Sequence, residues 1–585
     1  MTKNNSGNKK TKKEEINTLS FENIIPQIIE EFLKNIMDVY KKLLISPYNM
    51  NFTDMSLMVK QHTDLLGREV IKMFMEELDL LMRKDKKRKK LYTIERQDKK
   101  SIMTLLGIIE YKRTYYRLKK NPKRFKSQDD TLISTPLSTL SIYLPTYTYL
   151  LDDILDIRRH ERIDENVKLK LIENAIDMSY ERSAKTTLPH EGITRQTVLN
   201  ALREIGEVDI SLSKKLEERL KAKTEKIKEK NKNKNNKDKD KKSIKFLYIE
   251  ADEDHVSLQS GKKEMAKLVY IHEGRDEKES IPDRIKLKNV HYRTYIDEST
   301  DDIWEDVLDY IYENYEYKNI EKIYIAGDGA RWIRAGLEWI PKSRFVLDRY
   351  HLNKYITKIG TRYPKFKEKL MNLVSPYPSE STNISSITNL FKTFLKKITE
   401  DEKIGNIDKI SAKNQKRIVK SVQKYITNNW DGIKIYKEDL HVMGPSAEGH
   451  IGHVLSDRLS RRPLGWSKKG LKIMAKLRVF KKNNGNLGEF IRLRKELNKK
   501  IKEEKLKELI GTYFHSHPYP YPYSYTFTIS KKDIDNTIKS TLNKTKRLYN
   551  NSSYEKISNI PILIRGKKEP IYDILKSIKY GGSVI

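Results

Sequence analysis

The chain has 585 residues, a formal net charge of +36 and no cysteine. Its length suits roughly three or four domains, and its charge favours a polyanionic partner, nucleic acid or an anionic membrane surface. Disulfides and thiolate metal sites are excluded, which suits a reducing compartment. The same richness in Lys, Asn, Ile and Tyr follows from AT-rich coding, so charge alone does not assign the partner.

The N-terminal stretch MTKNNSGNKKTKKEE is basic but has no apolar run behind it, so it is no secretory signal. The chain holds no run of about 18 apolar residues. A soluble cytoplasmic protein without a membrane partner is expected. Residues 1–19 read as a disordered tail. From Phe21 to about Met82, Ile24, Ile25, Ile28, Phe32, Leu33 and Ile36 recur at helical steps. The basic run Arg83–Lys90 reads as a solvated connection. Thr104–Arg117 is β-branched and aromatic and predicts one or two strands. There Arg113, Tyr115, Tyr116 and Arg117 interleave charge with rings, which suits either a phosphate backbone with its bases or a half-buried strand.

Three short helices are expected between Asp164 and Ile205. Gly192 ends a turn, Thr194 caps, and Arg195, Gln196 and Thr197 open the third helix, the layout of a helix-turn-helix. Arg195 and Gln196 are base-reading residue types. Lys221–Lys245 carries 12 lysines against 4 acids and reads as a basic linker.

Beyond the linker the pattern becomes α/β. Strands are predicted at Phe246–Leu258, Lys267–Glu273 and Val290–Tyr295, a helix at Asp301–Tyr317, a strand at Ile323–Ala326, a helix at Arg331–Trp339, a strand at Arg344–Leu347 and a helix from Arg349. Gly327-Asp328-Gly329 places an acid between glycines at a strand's C-terminal end, where it serves either as a metal ligand or as a turn cap. Residues 361–440 are helical, Lys-rich and look inserted. Ser446 is expected to cap a helix in which Glu448, Ile451 and Leu455 share one inward face, an unusual place for a carboxylate unless it is paired or binds metal. Residues 487–510 read as another charged helix and 514–527 as an extended Tyr/Pro segment.

Asp252, Asp328 and Glu448 stand out as three acids on separate elements. Asp254 shares the strand face of Asp252 and rivals it as the first acid. Carboxylates from separate elements suit hard divalent cations, and two such cations suit phosphodiester chemistry. With no cysteine and no third clustered ligand, His450 and His453 read as phosphate or packing residues rather than a zinc site. His351 is either a structural histidine or a group touching DNA. Arg458, Arg461 and Arg462, after the Glu448 helix, either bind phosphates or are solvated.

In this order, YIEADEDHVSLQ, YIAGDGARWI, FVLDRYHLNKYI and SAEGHIGHVLSDRLSRRPLGWS resemble bacterial insertion-sequence DDE transposases of the ISLre type. The resemblance extends over most of the chain, including TLLGIIEYKRTYYR and GITRQTVLNALREIG. It implies an α/β fold: a ribonuclease H-like mixed-sheet core at 246–360 and 441–480, interrupted by a helical insertion at 361–440. Around the core it implies an N-terminal domain at 20–160, a helix-turn-helix region at 161–210, a linker at 211–245 and a C-terminal region at 481–585. It implies Asp252, Asp328 and Glu448 as catalytic acids holding two Mg²⁺ or Mn²⁺ ions. Arg195, Gln196, Thr197, His351, Arg458, Arg461 and Arg462 become the DNA-contacting candidates. The expected partners are double-stranded DNA, as element ends and target, and further copies of the chain in a dimer or larger assembly. The expected setting is a bacterial nucleoid. A nuclease on the same core and a non-catalytic DNA-binding regulator are the competing functions.

Overall fold

A computed structural model describes residues 21–45, 51–119, 145–189, 191–209, 241–281, 285–360, 362–376, 383–462, 465–498 and 500–501. The expected tail at 1–19, nearly all of the linker and the Tyr/Pro segment lie outside these residues. The chain divides into two compact units, one up to Asp164 and one from Glu165.

In the first unit the apolar periodicity gives two long helices, α1 (Phe21–Ile45) and α2 (Phe52–Lys84). The Asn51 side chain accepts the Asp54 N–H and so starts α2. The basic run is not a solvated connection. It continues as α3 (Lys86–Leu91), and Arg88 is buried with its guanidinium on the carbonyls of Met82 and Arg83 at the end of α2. A cation there satisfies carbonyls that lack helical partners. Strands β1 (Tyr92–Thr104) and β2 (Gly107–Leu118) pair antiparallel, and a short β3 (Tyr147–Thr148) adds to β2, followed by α4 (Leu150–Ile154).

On β2 the half-buried-strand reading holds. Tyr116 is fully buried, and Arg113 is buried in an ion pair with Asp152, which Lys100 also joins at 3.3 Å. Burial, with the Arg113 charge beside it, pushes the Lys100 ammonium down to about 8. Arg113 and Tyr116 are therefore core groups rather than a nucleic-acid platform.

The second unit opens with the three expected helices: α5 (Glu165–Asp177), α6 (Tyr180–Thr187) and α7 (Arg195–Ile205). Thr194 caps α7 as its sequence predicts, accepting the Thr197 N–H. Later parts of the same unit bond to these helices. Arg458 Nε donates to Ala175 O at 3.1 Å and Arg478 Nη1 to Ile176 O at 2.9 Å, both at the C-terminal end of α5. Arg494 Nη2 donates to Glu204 O at 3.1 Å at the end of α7. Three arginines from late in the chain thus cap the helices' open carbonyls.

The second sheet contains β4 (Phe246–Ser257), β5 (Lys263–His272), β6 (His291–Tyr295), β7 (Lys322–Gly327) and β8 (Ser343–Leu347), in the order β6-β5-β4-β7-β8. β4–β5 and β5–β6 are antiparallel; β4–β7 and β7–β8 are parallel. The architecture is a mixed α/β sheet with helices. Between β6 and β7 lies α8 (Thr300–Asn314), started by Ser299, whose hydroxyl accepts the Asp302 N–H. Its Ile303, Trp304, Val307 and Ile311 are fully buried against Leu247, Ile249, Ile323 and Ile325 of the sheet. Removing the Trp304 side chain from this core would cost about 3–5 kcal/mol.

The helix expected at Arg331–Trp339 is two short helices, α9 (Arg331–Arg334) and α10 (Gly336–Trp339). After β8 comes α11 (Arg349–Thr357), then α12 (Pro364–Leu373), α13 (Ile384–Lys403), α14 (Lys409–Asn428) and α15 (Trp430–Glu438). The inserted helices extend the same apolar core, which includes Phe391, Phe394, Val419, Val422 and Ile433. The chain then returns through α16 (Ala447–Ile451), a π-helical stretch Gly452–Ser456 and α17 (Lys468–Lys482).

Candidate active site

Strand register brings the acids together. The parallel β4–β7 pairing ends at Glu250↔Ala326, and the β7–β8 pairing at Gly327↔Leu347. Continuing each register by one or two residues sets Asp252, Asp328 and Asp348 in one row across three adjacent strands, with Asp328 and Asp348 just past the C-terminal ends of β7 and β8 and Asp252 within β4, which runs on to Ser257. Strands in a sheet lie about 4.8 Å apart, so the row is a dense line of carboxylates. Such strand ends are where open α/β sheets bind ligands.

Each acid is held differently. Asp252 is buried, and its Oδ1 accepts the Glu253 N–H at 2.8 Å. Burial pushes its carboxyl up to about 7; Asp328 and Glu448 add to the rise, while the Glu253 N–H and the His351 charge oppose it. Those effects place Asp328, Glu448 and His351 within electrostatic reach of Asp252. Asp328 Oδ1 accepts the Ala330 N–H at 2.8 Å, and its backbone carbonyl accepts the Tyr425 hydroxyl at 2.7 Å.

The glycines around Asp328 are both required. A Cβ at Gly327 would lie 2.8 Å from Ala251 O, and Gly329 has φ +90° with the Asn429 amide where its Cβ would stand. Asp348 is buried, caps α11 through the Tyr350 N–H, and meets His351 Nδ1 at 2.7 Å. That bond raises the affinity of His351 for its proton; burial opposes it, and Asp348, Asp252 and Asp328 add to the rise.

Two expectations about Glu448 are corrected. Ser446 does not cap α16 with its side chain; its N–H instead donates to Glu250 Oε2 at 2.6 Å. Glu448 is exposed rather than inward-facing. The buried stripe runs through Ala447, Ile451, Val454 and Leu455. Glu448 stands one helical step, about 100°, beyond Ala447, at the rim of the stripe. From that exposed position its charge acts on Asp252. Asp254 lies two residues past the row on the same strand face, and its Oδ2 is buried without a hydrogen-bond partner.

The DNA-contacting candidates separate by burial. Arg195 and Gln196 are exposed at the start of α7, where Gln196 Nε2 donates to Asn200 Oδ1, and Thr197 is half-buried. Arg458, expected at a phosphate, is instead buried, stacked against Trp466 and bonded to Ala175 O. Arg461 and Arg462 are exposed and line a cleft of about 580 Å³ with His453, Arg478, Lys482, Asp177 and Asp457. His450 is a packing residue, stacked on Tyr270 and 2.7 Å from the Tyr292 hydroxyl.

Among the described residues, no three His, Asp or Glu side chains stand at metal-ligand spacing. The donor chemistry still suits a hard cation: the row offers carboxylate oxygens, burial, with the Asp328 and Glu448 charges adding to it, favours the protonated form of Asp252, and one buried Asp254 oxygen has no donor. Sequence reasoning missed Glu250, His272 and Tyr270, which form a buried polar network beside the row. The alternation Tyr248-x-Glu250-x-Asp252 was the available signal, since it puts Glu250 on the acid-bearing face.

Comparison with known proteins gives a family. A UPF0236 protein of Caldanaerobacter subterraneus subsp. tengcongensis, whose name joins eleven loci of that genome, is 44% identical over 96% of this chain and 98% of its own length. Another from the same bacterium, whose name joins four loci, is 42% identical over 96% and 98%. A third is 43% identical over 94% and 97%. No solved structure matches. The relatives are thus many paralogues within one bacterium. The model of the uncharacterised protein family UPF0236 matches residues 46–133 and 144–496, and the chain belongs to that family.

Proposed function

We propose that the chain is the DNA transposase of an insertion sequence, built on a ribonuclease H-like core. It would cleave element ends and join their 3′-hydroxyls to target DNA. The observation that carries this reading is the row of Asp252 and Asp328 on adjacent parallel strands, with the charge of Glu448, from a helix far along the chain, acting on Asp252. The sheet order β6-β5-β4-β7-β8 supports the core assignment. The multiplicity of the relatives in one genome supports a mobile element. The net charge and the exposed Arg195, Gln196, Arg461 and Arg462 support a DNA partner in a bacterial cytoplasm.

Asp252, Asp328 and Glu448 would hold two Mg²⁺ or Mn²⁺ ions, which when bound supply activation of the attacking oxygen and stabilisation of the leaving one. The protein's own part is orientation. The Ala330 N–H and the Gly327 and Gly329 turns fix Asp328; the Glu253 N–H fixes Asp252; Asp348 holds His351 through its Nδ1. In cleavage, a water oxygen bonds to phosphorus, the 3′-oxygen leaves, and the water's protons pass to solvent and to that oxygen. In joining, the freed 3′-hydroxyl displaces a target 3′-oxygen in the same way. The cleft lined by Arg461 and Arg462 provides cations for flanking phosphates.

The test uses the purified chain, Mg²⁺ and a duplex carrying the ends that flank the gene. Nicking that leaves a 3′-hydroxyl, followed by its joining to a second duplex, is expected. Cleavage without joining would make the protein a nuclease, and binding without cleavage would make it a regulator.

A further inference from the structure

Of the three acids, Glu448 has the least local support. It sits on α16, a helix of five residues with no side-chain cap, followed at once by a π-helical stretch. A helix this short does not hold itself in water, so other parts of the chain must set its place. Glu250 does so. It is 3% exposed on β4, two residues before Asp252 and on the same face. Its Oε2 accepts the Ser446 N–H at 2.6 Å, at the entrance to α16, and also the Tyr270 hydroxyl.

Its Oε1 lies 3.0 Å from Nε2 of the fully buried His272. His272 Nδ1 accepts the Gly274 N–H at 3.2 Å, so Nε2 carries the proton and donates to Glu250. The same Tyr270 reaches α16 twice more: its hydroxyl is 3.0 Å from Ser446 Oγ, and its ring stacks on His450 at 4.4 Å. The Tyr292 hydroxyl, 2.7 Å from His450 Nδ1, pins the far end of the helix.

We propose that Glu250 is a positioning residue that hangs the Glu448 helix from the strand bearing Asp252, so that the third acid faces the other two. The catalytic part of this assignment rests on the phosphoryl-transfer reading; the anchoring part does not. Charge-assisted bonds to a buried carboxylate are among the stronger hydrogen bonds. One strand then carries both the first acid and the anchor of the last, which fixes their spacing independently of the long helical segment between them.

The test combines hydrogen exchange on the metal-free full chain with strand cleavage in Mg²⁺, for wild type, Glu250→Ala and Glu250→Gln. Glu250→Ala is expected to speed exchange across residues 441–456 by about tenfold or more while 322–328 stays within about twofold. Its cleavage kcat should fall at least about tenfold with DNA affinity unchanged. Glu250→Gln keeps an oxygen for the Ser446 N–H and should restore most of both. Unchanged exchange at 441–456 in Glu250→Ala overturns the anchor, and faster exchange with full cleavage overturns its role in placing Glu448.

If Glu250→Ala does not fold, Tyr270→Phe, which removes one donor to Glu250 and its link to Ser446 while keeping the ring, takes its place with the same two criteria. A wild-type chain that cleaves no DNA sinks the phosphoryl-transfer reading, and with it the catalytic role, while the exchange contrast still decides whether Glu250 anchors the helix.

Discussion

Asp252→Asn should make the metal-free protein more stable, not less. The Asp252 carboxyl is raised from the ordinary 3.8 to about 7, first by burial and then by Asp328 and Glu448. Between those values the folded chain holds a proton that the unfolded chain has released. The folded state therefore binds more protons, and stability falls as pH rises from about 4 to about 7. Each pKa unit is worth about 1.4 kcal/mol, so the charged carboxylate costs at most about 4 kcal/mol at pH 8, of which about 3 develops above pH 5. Asparagine keeps an oxygen for the Glu253 N–H and carries no charge, so it escapes this penalty.

All five tryptophans, Trp304, Trp332, Trp339, Trp430 and Trp466, lie in the second unit, so their fluorescence follows its unfolding selectively. In EDTA, the urea midpoint of that transition should fall between pH 5 and pH 8 for wild type and stay nearly level for Asp252→Asn. Adding Mg²⁺ at pH 8 should raise the wild-type midpoint and leave the variant unmoved. Parallel pH dependence in the two proteins would refute the claim that burial and the neighbouring acids penalise the charged Asp252 carboxylate.

Asp328→Asn and Glu448→Gln should each lower Mg²⁺-dependent strand cleavage by orders of magnitude, with thermal midpoints near wild type, and combining them should cost little more; wild-type cleavage by either, in a gel assay, removes that residue from the site. Gly329→Ala forces a Cβ onto a residue at φ +90° and against Asn429, so a loss of about 1–3 kcal/mol in the same urea assay is expected, along with slower cleavage; a neutral result would show that the turn relaxes freely. Arg195→Ala should lose about 1–3 kcal/mol of discrimination between element ends and random DNA in competition binding, with the acid site untouched. Light scattering of the paired-end DNA complex should give at least two chains, and one chain per complex would remove the expected self-association.

Local chemistry was legible wherever it was periodic or capped. The strand runs at Phe246, Ile323 and Arg344, the apolar stripe of Ile303, Trp304, Val307 and Ile311, and the Thr194 cap all follow from short-range steric and hydrogen-bonding rules that hold before any tertiary contact forms. The three acids could be singled out because each sits at a marked place on a strand or helix. What tertiary structure decided was pairing and burial. Which strands lie side by side sets the row of Asp252, Asp328 and Asp348, and no local pattern encodes that register. Arg88, Arg113 and Arg458 read as solvent or phosphate cations, yet each is buried, Arg88 on carbonyls at the end of the preceding helix, Arg113 and Arg458 on a carboxylate and a carbonyl supplied by other parts of the fold. Glu448 read as inward-facing, yet it lies outside the buried stripe of a five-residue helix whose own bonds are too few to orient it. Its place is set by Glu250 and Tyr270 on strands far away in the chain, because the cost of leaving buried donors and acceptors unmade is settled only when the whole sheet has assembled.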